Sequence, residues 1–345
     1  MDENSNIKKS PKRAIKFLIF CFLFTVLCFL FIAGIYSPKD SSQKETKLFL
    51  IEKGQGVFQI AKNLEKEGLI KNRLFFDFYA YLKWSQHKLQ AGKYELSPSM
   101  DVSEIAKKII KGEIFQIKIT IPEGFTLKQI EETLSLSLQR PVLCQYLVSD
   151  FKGEFDFLKD IPDETSLEGF LFPDTYYIKE LELNNDEEIK NIFKKMLTNF
   201  DKKITPDLGQ EILEQNKSIF QIVTMASLIE KEVKTLEDKK IVSGILWKRL
   251  KVGMPLQVDA TINYITGKKT IKISEQDTQI DSLYNTYKYR GLPPGPICNP
   301  GLESIEASLY PESSEHWYYL STPEGETIFS KTLQEHNIAK DWYLK

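Results

Sequence analysis

The chain has 345 residues, 42% hydrophobic and 27% charged, a balance that excludes an intrinsically disordered polymer and leaves room for about two domains. The formal net charge is −2, but residues 1–39 hold six Lys or Arg against two Asp or Glu, so residues 40–345 carry −6. An acidic body of that kind argues against nucleic acid as a partner, which needs a basic face.

The first element is apolar. Residues 17–36 form an unbroken run of 20 uncharged residues. As a helix it is about 30 Å long, the thickness of a bilayer's hydrocarbon core. Lys8, Lys9, Lys12, Arg13 and Lys16 precede it, which predicts a cytoplasmic segment at 1–16, a single membrane span at 17–36 and everything later outside the cytoplasm. A cleaved signal peptide is the competing reading. Its apolar core is usually shorter and ends at small residues. No Ala-x-Ala follows here, and Val26-Leu27 before Cys28 does not suit a lipoprotein site. The expectation is therefore an uncleaved anchor in the cell membrane. Cys21 and Cys28 fall within the span, whereas Cys144 and Cys298 lie outside it, where their spacing does not decide whether they pair. Neither the cysteines nor the three histidines show metal-ligand spacing.

Residues 37–47 are polar, without periodicity, and read as a linker. A small unit at 48–115 follows. Residues 48–52 suggest a strand, Gly54 and Gly56 a turn, and 57–67 a helix with Ile60 and Leu64 inward, closed by Gly68. Asn72 can cap a second helix reaching Trp84, residues 93–96 suggest a strand, and Asp101 can cap a helix ending near Gly112. Strand–helix–helix–strand is the order of a LysM-like glycan-binding unit, and equally of a generic α+β domain. Gly54, Gln59, Ile60 and Leu64 recur as Gly124, Gln129, Ile130 and Leu134 at an offset of 70, each set following a strand.

The remainder, 116–345, reads as a larger mixed α/β domain. Residues 116–121 suggest a strand, Pro122-Glu123-Gly124 a turn, and Thr126 a cap for the helix starting at Leu127. Residues 167–177 are aromatic-rich, a loop or strand whose rings suit core packing. Asn185 can cap a helix over 186–199. Residues 218–250 show apolar residues at helical spacing, which predicts one long helix stopping at Gly253. A Pro- and Gly-rich stretch at 291–301 cannot be regular and predicts a rigid loop. A helix beginning at Glu303 and a hairpin of 318–320 with 327–329 complete the chain.

Within the long helix, Glu230 has Val223, Ala226, Ser227 and Val233 as helical neighbours, at the rim of the apolar stripe. Partial desolvation there suits a proton donor. A surface Glu paired with Lys234 four residues on is the plainer reading. Glu232 is flanked by Leu228, Ile229 and Leu236, and periodicity does not choose between the two carboxyls.

Taken together, several motifs are more specific. Ala226-Ser227-Leu228-Ile229-Glu230-Lys231-Glu232, Leu256-Gln257-x-Asp259-x-Thr261, Tyr284-Asn285-Thr286-Tyr287 and Gly291-Leu292-Pro293-Pro294-Gly295-Pro296-Ile297-x-Asn299-Pro300-Gly301 resemble the MltG/YceG-like endolytic murein transglycosylases. The stretch at 167–176 and Phe329-Ser330-Lys331-Thr332 with Glu335-His336-Asn337 fit the same pattern. The resemblance implies an α+β fold with a membrane helix, a LysM-like subdomain and a larger catalytic domain. It implies a lytic cut within peptidoglycan strands, between N-acetylmuramic acid and N-acetylglucosamine, without metal or organic cofactor. It further implies Glu230 as the catalytic acid; Gln257, Asp259, Asn285, Thr286 and Glu168 as sugar-binding groups; and work beside penicillin-binding proteins. The sequence departs from the family at Val258, Ala260 and Thr327. A water-using hydrolase with Glu230 and Asp259 as its pair, and a non-catalytic glycan-binding scaffold, are the competing functions.

Overall fold

In the computed structural model, which describes residues 11–83, 85, 87–179, 186–268 and 273–344, the chain opens with a 25-residue helix, α1 (Pro11–Ile35). Its stretch Ile15–Ile35 is long and apolar enough to cross a membrane. The protein is mixed α/β and divides into two compact units: the first runs through Gln116 and also takes in Lys179, and the second comprises Ile117–Ile178 and the described residues from Asp186 on.

In the first unit, β1 (Lys47–Ile51) runs antiparallel to β2 (Gly92–Leu96), with Phe49 opposite Tyr94. Between the strands lie α2 (Val57–Lys66) and α3 (Arg73–Leu82), and after them α4 (Val102–Lys111). The strands alternate, so Phe49, Ile51, Tyr94 and Leu96 face inward. They meet Ile60 and Leu64 of α2, Phe76 of α3 and Ile105 and Ile109 of α4 in one core. The expected caps form: Asn72 accepts from the Leu74 amide at 2.9 Å, and Asp101 and Glu104 make a capping box. The second helix ends at Leu82, and Trp84 lies outside the described residues.

The second unit contains β3 (Gln116–Thr120), α5 (Leu127–Leu138), β4 (Thr175–Lys179), α6 (Asp186–Lys203), α7 (Pro206–Glu214), α8 (Ile219–Glu232), α9 (Leu236–Lys251), α10 (Asp259–Thr266), α11 (Leu302–Leu309), β5 (Tyr318–Ser321), β6 (Thr327–Ser330) and α12 (Leu333–Tyr343). β3 pairs with β4, and β5 with β6 as the expected hairpin. The aromatic stretch is mostly loop, with only its end in β4. Asn185, the expected cap of α6, lies outside the described residues.

α8 is the axis of this unit. Every residue from Ile222 to Ile229 is buried. Ile222, Val223 and Ala226 join one apolar cluster with Phe170, Phe193 and Phe200. Met225, Leu228 and Ile229 join a second with Val242, Leu246, Leu256 and Ile297. A helix apolar on all sides must be enclosed, and here two cores enclose it. Ser218 and Gln221 cap its start in a reciprocal box.

The expected single helix over 218–250 is corrected to two. Val233 is extended (φ −142°, ψ 157°), and Thr235 starts α9 by accepting from the Asp238 amide at 3.1 Å. The apolar spacing runs through both helices, but a threonine able to cap interrupts them, and the chain folds back there.

The Pro-rich stretch is a rigid loop pinned on α8. The Ser227 hydroxyl accepts from the Ile297 amide at 3.0 Å, and the Cys298 thiol points at the Ser227 carbonyl at 3.3 Å. Gly169 (φ 91°) lies against Pro296, and a Cβ there would occupy the proline ring. Cys144 and Cys298 are free thiols.

Candidate active site

Glu230 lies in the last turn of α8, where the helix emerges from its two cores. Its side chain is 10% exposed. The Oε2 atom accepts from the Ser304 hydroxyl at 2.5 Å and the Gly301 amide at 3.2 Å, and the Lys239 ammonium stands 3.6 Å away. Gly301 and Ser304 open α11, so the carboxyl sits at the positive end of a helix. Oε1 accepts no hydrogen bond from the described residues. The carboxyl head is thus in a polar pocket rather than against the apolar stripe. Its cation is Lys239 of α9; Lys234, the expected partner, lies beyond the helix end.

Lys239 is 4% exposed at its side chain and lies 3.7 Å from the Glu303 carboxylate as well. A lysine buried to that degree needs paired charge. Lys231 turns to the other side and donates to the Gly124 carbonyl at 3.0 Å. That carbonyl belongs to the turn before α5, whose Glu123 stands over Gly301: a Cβ at 301 would fall within the Glu123 carboxyl. Burial and then the neighbouring Glu230 push the Glu123 carboxyl above its usual range.

The five residues considered for sugar binding separate into buried and accessible groups. Glu168 is 5% exposed, and burial pushes its carboxyl up to about 8. It accepts from the Leu127 amide at 2.9 Å and from Asn299 Nδ2 at 3.0 Å, tying the start of α5 to the Pro-rich loop. Asn285 is fully buried; its amide donates to the Thr278 and Ile280 carbonyls, and its oxygen accepts from the Tyr287 amide. The buried Thr286 hydroxyl accepts from the Val258 amide at 2.9 Å and shares a hydrogen bond with Thr261. These three shape loops. Asp259 is half-buried and accepts from the Tyr287 hydroxyl. Gln257 is exposed, with left-handed backbone (φ 55°).

Glu232 faces away from the partners of Glu230. Burial and then Asp259 push its carboxyl up to about 7, while Tyr319 and the Ala260 amide bond to it. It therefore fastens the start of α10 and the β5–β6 hairpin to the end of α8. Asp259 bonds to Tyr287 and repels the Glu232 carboxyl, while the carboxyl that Glu230 acts on is that of Glu123.

The sequence reasoning missed Lys239, Ser304 and Glu123 as site residues. Ser304 stands three residues after Gly301, inside the predicted helix start. Glu123 carried only a turn signal.

A buried helix that ends on a polar carboxyl pocket, roofed by a rigid Pro-rich loop, defines a mixed α/β protein with one candidate acid. Residues 49–341 match the YceG-like family. A Bacillus subtilis protein named endolytic murein transglycosylase is 34% identical over 331 residues, covering 92% of this chain and 90% of its own. A Streptococcus pneumoniae protein of the same name is 34% identical over 345 residues, covering 88% of this chain and 60% of its own. A crystal structure of a yceG-like protein from Listeria monocytogenes superposes with a TM-score of 0.59 at 34% identity, covering 86% of this chain and all of that one. The chain belongs to the YceG-like family.

Proposed function

We propose that this chain is a membrane-anchored endolytic murein transglycosylase. It cleaves the N-acetylmuramic acid–N-acetylglucosamine bond within peptidoglycan strands and leaves 1,6-anhydro ends. The observation that carries the reading is the Glu230 carboxyl, with Oε2 held by Ser304, Gly301 and Lys239 and Oε1 unencumbered by the described residues, in a chain whose relatives bear that name.

In this mechanism Oε2 is fixed and Oε1 carries the proton. Protonated Glu230 gives that proton to the glycosidic oxygen, the bond to the anomeric carbon breaks, and positive character builds on the sugar ring. The same carboxylate then takes the proton of the sugar's own C6 hydroxyl, whose oxygen closes on the anomeric carbon. The nucleophile belongs to the substrate, so its orientation supplies much of the rate. Water need not be activated, unlike in the two-carboxylate hydrolases. In this reading the exposed Gln257 and the loop at 291–301 hold the strand. The strand–helix–helix–strand unit, here β1, α2, α3 and β2, serves as a LysM-like glycan holder at 48–115, and α1 anchors the chain so that the site faces peptidoglycan beside penicillin-binding proteins.

Mass spectrometry of digested peptidoglycan tests the reading. Anhydro-muramic ends released by wild type and lost in Glu230→Gln support it. Reducing ends would indicate hydrolysis, and no cleavage at all would indicate a binding scaffold.

A further inference from the structure

Glu123 belongs to no motif used so far, yet its position is closely determined. It precedes Gly124, whose φ is 74° and whose carbonyl is held by Lys231. The Gly124 amide donates to the Asn299 carbonyl at 2.8 Å, which docks the turn on the Pro-rich loop. A Cβ on Gly124 would stand 3.4 Å from Glu230 Cγ, so the turn lies in contact with the Glu230 side chain. On the other side, Gly301 gives its amide to Glu230 Oε2 while its α-carbon lies under the Glu123 carboxyl. Two carboxyls therefore flank one glycine, and only a residue without a side chain leaves space for both.

The charges acting on Glu123 are Glu230 of α8, Lys239 of α9 and Glu303 of α11, with Lys231 of α8 held at the next residue's carbonyl. Lys231 is engaged by the Gly124 carbonyl, and Lys239 lies between Glu230 and Glu303. The Lys239 ammonium is thus shared by Glu230 and Glu303, and it acts on Glu123 without an ion pair among the described residues. Glu230 has a hydroxyl and an amide donating to it, whereas Glu123 accepts no hydrogen bond from the described residues. Burial and the neighbouring carboxyls raise the proton affinity of Glu123, the one of the three with neither a hydrogen bond nor an ion pair from the described residues.

We propose that Glu123 is a positioning residue for this reaction: its carboxyl, across Gly301 from Glu230, relays a proton to the Glu230 carboxyl when a glycan strand displaces water from the pocket. The inference rests on the reading of Glu230 as the acid. The balance is closed. Glu123 loses the proton that Glu230 gains. Glu230 gives it to the leaving oxygen as the glycosidic bond breaks, recovers one from the C6 hydroxyl as the anhydro ring closes, and returns it to Glu123. No water or co-reactant is consumed.

The test is the pH dependence of strand cleavage by the full-length chain in detergent, with anhydro-muramic ends counted by mass spectrometry. Wild type loses activity on the alkaline side when the carboxyl pair gives up its shared proton. In Glu123→Gln, Glu230 must draw a proton from solvent unaided. The alkaline limb is expected to move toward acid by about one pH unit, and the deficit against wild type to grow about tenfold across that limb. Glu123→Asp, which keeps a carboxyl, is expected to restore much of the limb. Superimposable profiles for Gln variant and wild type overturn the inference, as does a uniform loss at every pH. Gln and Asp variants that are equally inactive while folded overturn it too. If wild type releases reducing rather than anhydro ends, the lytic reading fails separately, and the same shift in those ends decides the role of Glu123.

Discussion

Nine positions separate Glu230 from Lys239, which in an unbroken helix means about 13 Å along the axis. The turn at Val233 and Thr235 folds α9 back, and the ammonium comes to 3.6 Å from the carboxyl. Both side chains are nearly enclosed, so removing one partner leaves an uncompensated charge. Lys239→Met is expected to cost about 3 kcal/mol of stability, read from denaturant unfolding. Combining it with Glu230→Gln should cost less than the sum of the two single changes, because no buried charge is then left alone. An additive result would mean that the ammonium does not act on Glu230.

At the level of elements, Glu168 links three pieces: the loop before β4, the first amide of α5 and Asn299 of the Pro-rich loop. Its carboxyl is pushed up to about 8 by burial, against an ordinary value of 4.5. The folded state therefore holds a proton that the unfolded chain releases near pH 4.5. Stability from this group is complete below that pH and is lost as pH rises toward about 8. Glu168→Gln, which stays neutral, should flatten the fall in thermal midpoint between about pH 5 and pH 8. A variant with the same slope as wild type would show that the carboxyl is not neutral in the fold. The same scale separates what local pattern can declare from what it cannot. The starts at Asn72, Asp101, Thr126 and Ser218 depend on side chains reaching amides two or three residues ahead, so they are legible in sequence. The break between α8 and α9 was not, because the apolar spacing continues across Thr235. α7 was also missed, though Thr205 followed by Pro206 is a helix start by the same rule.

For the whole molecule, the main feature is α1, whose stretch Ile15–Ile35 is long and apolar enough to cross a membrane. Its exposed Phe17, Leu18, Phe20, Phe22, Leu23 and Phe29 leave an apolar surface without cover from the described residues. The full chain is expected to stay with membranes through alkaline carbonate extraction, and a chain starting at Pro38 to move to the soluble fraction. Retention of the shortened chain would place the membrane contact elsewhere. Sequence alone determined this helix, the order of most elements and the family resemblance, because each is written in composition, spacing or motif along the chain. It also singled out Glu230 through that resemblance, while helical spacing left it level with Glu232. Tertiary structure alone decided what surrounds the two carboxyls. Glu232 is tied to Tyr319 and the start of α10, and Glu230 meets groups from the turn at Gly124, from α9 and from α11. That turn lies 107 positions before the Lys231 that holds it. A carboxyl's chemistry is set by the charges and donors within a few ångströms, and chain folding, not sequence separation, determines which those are.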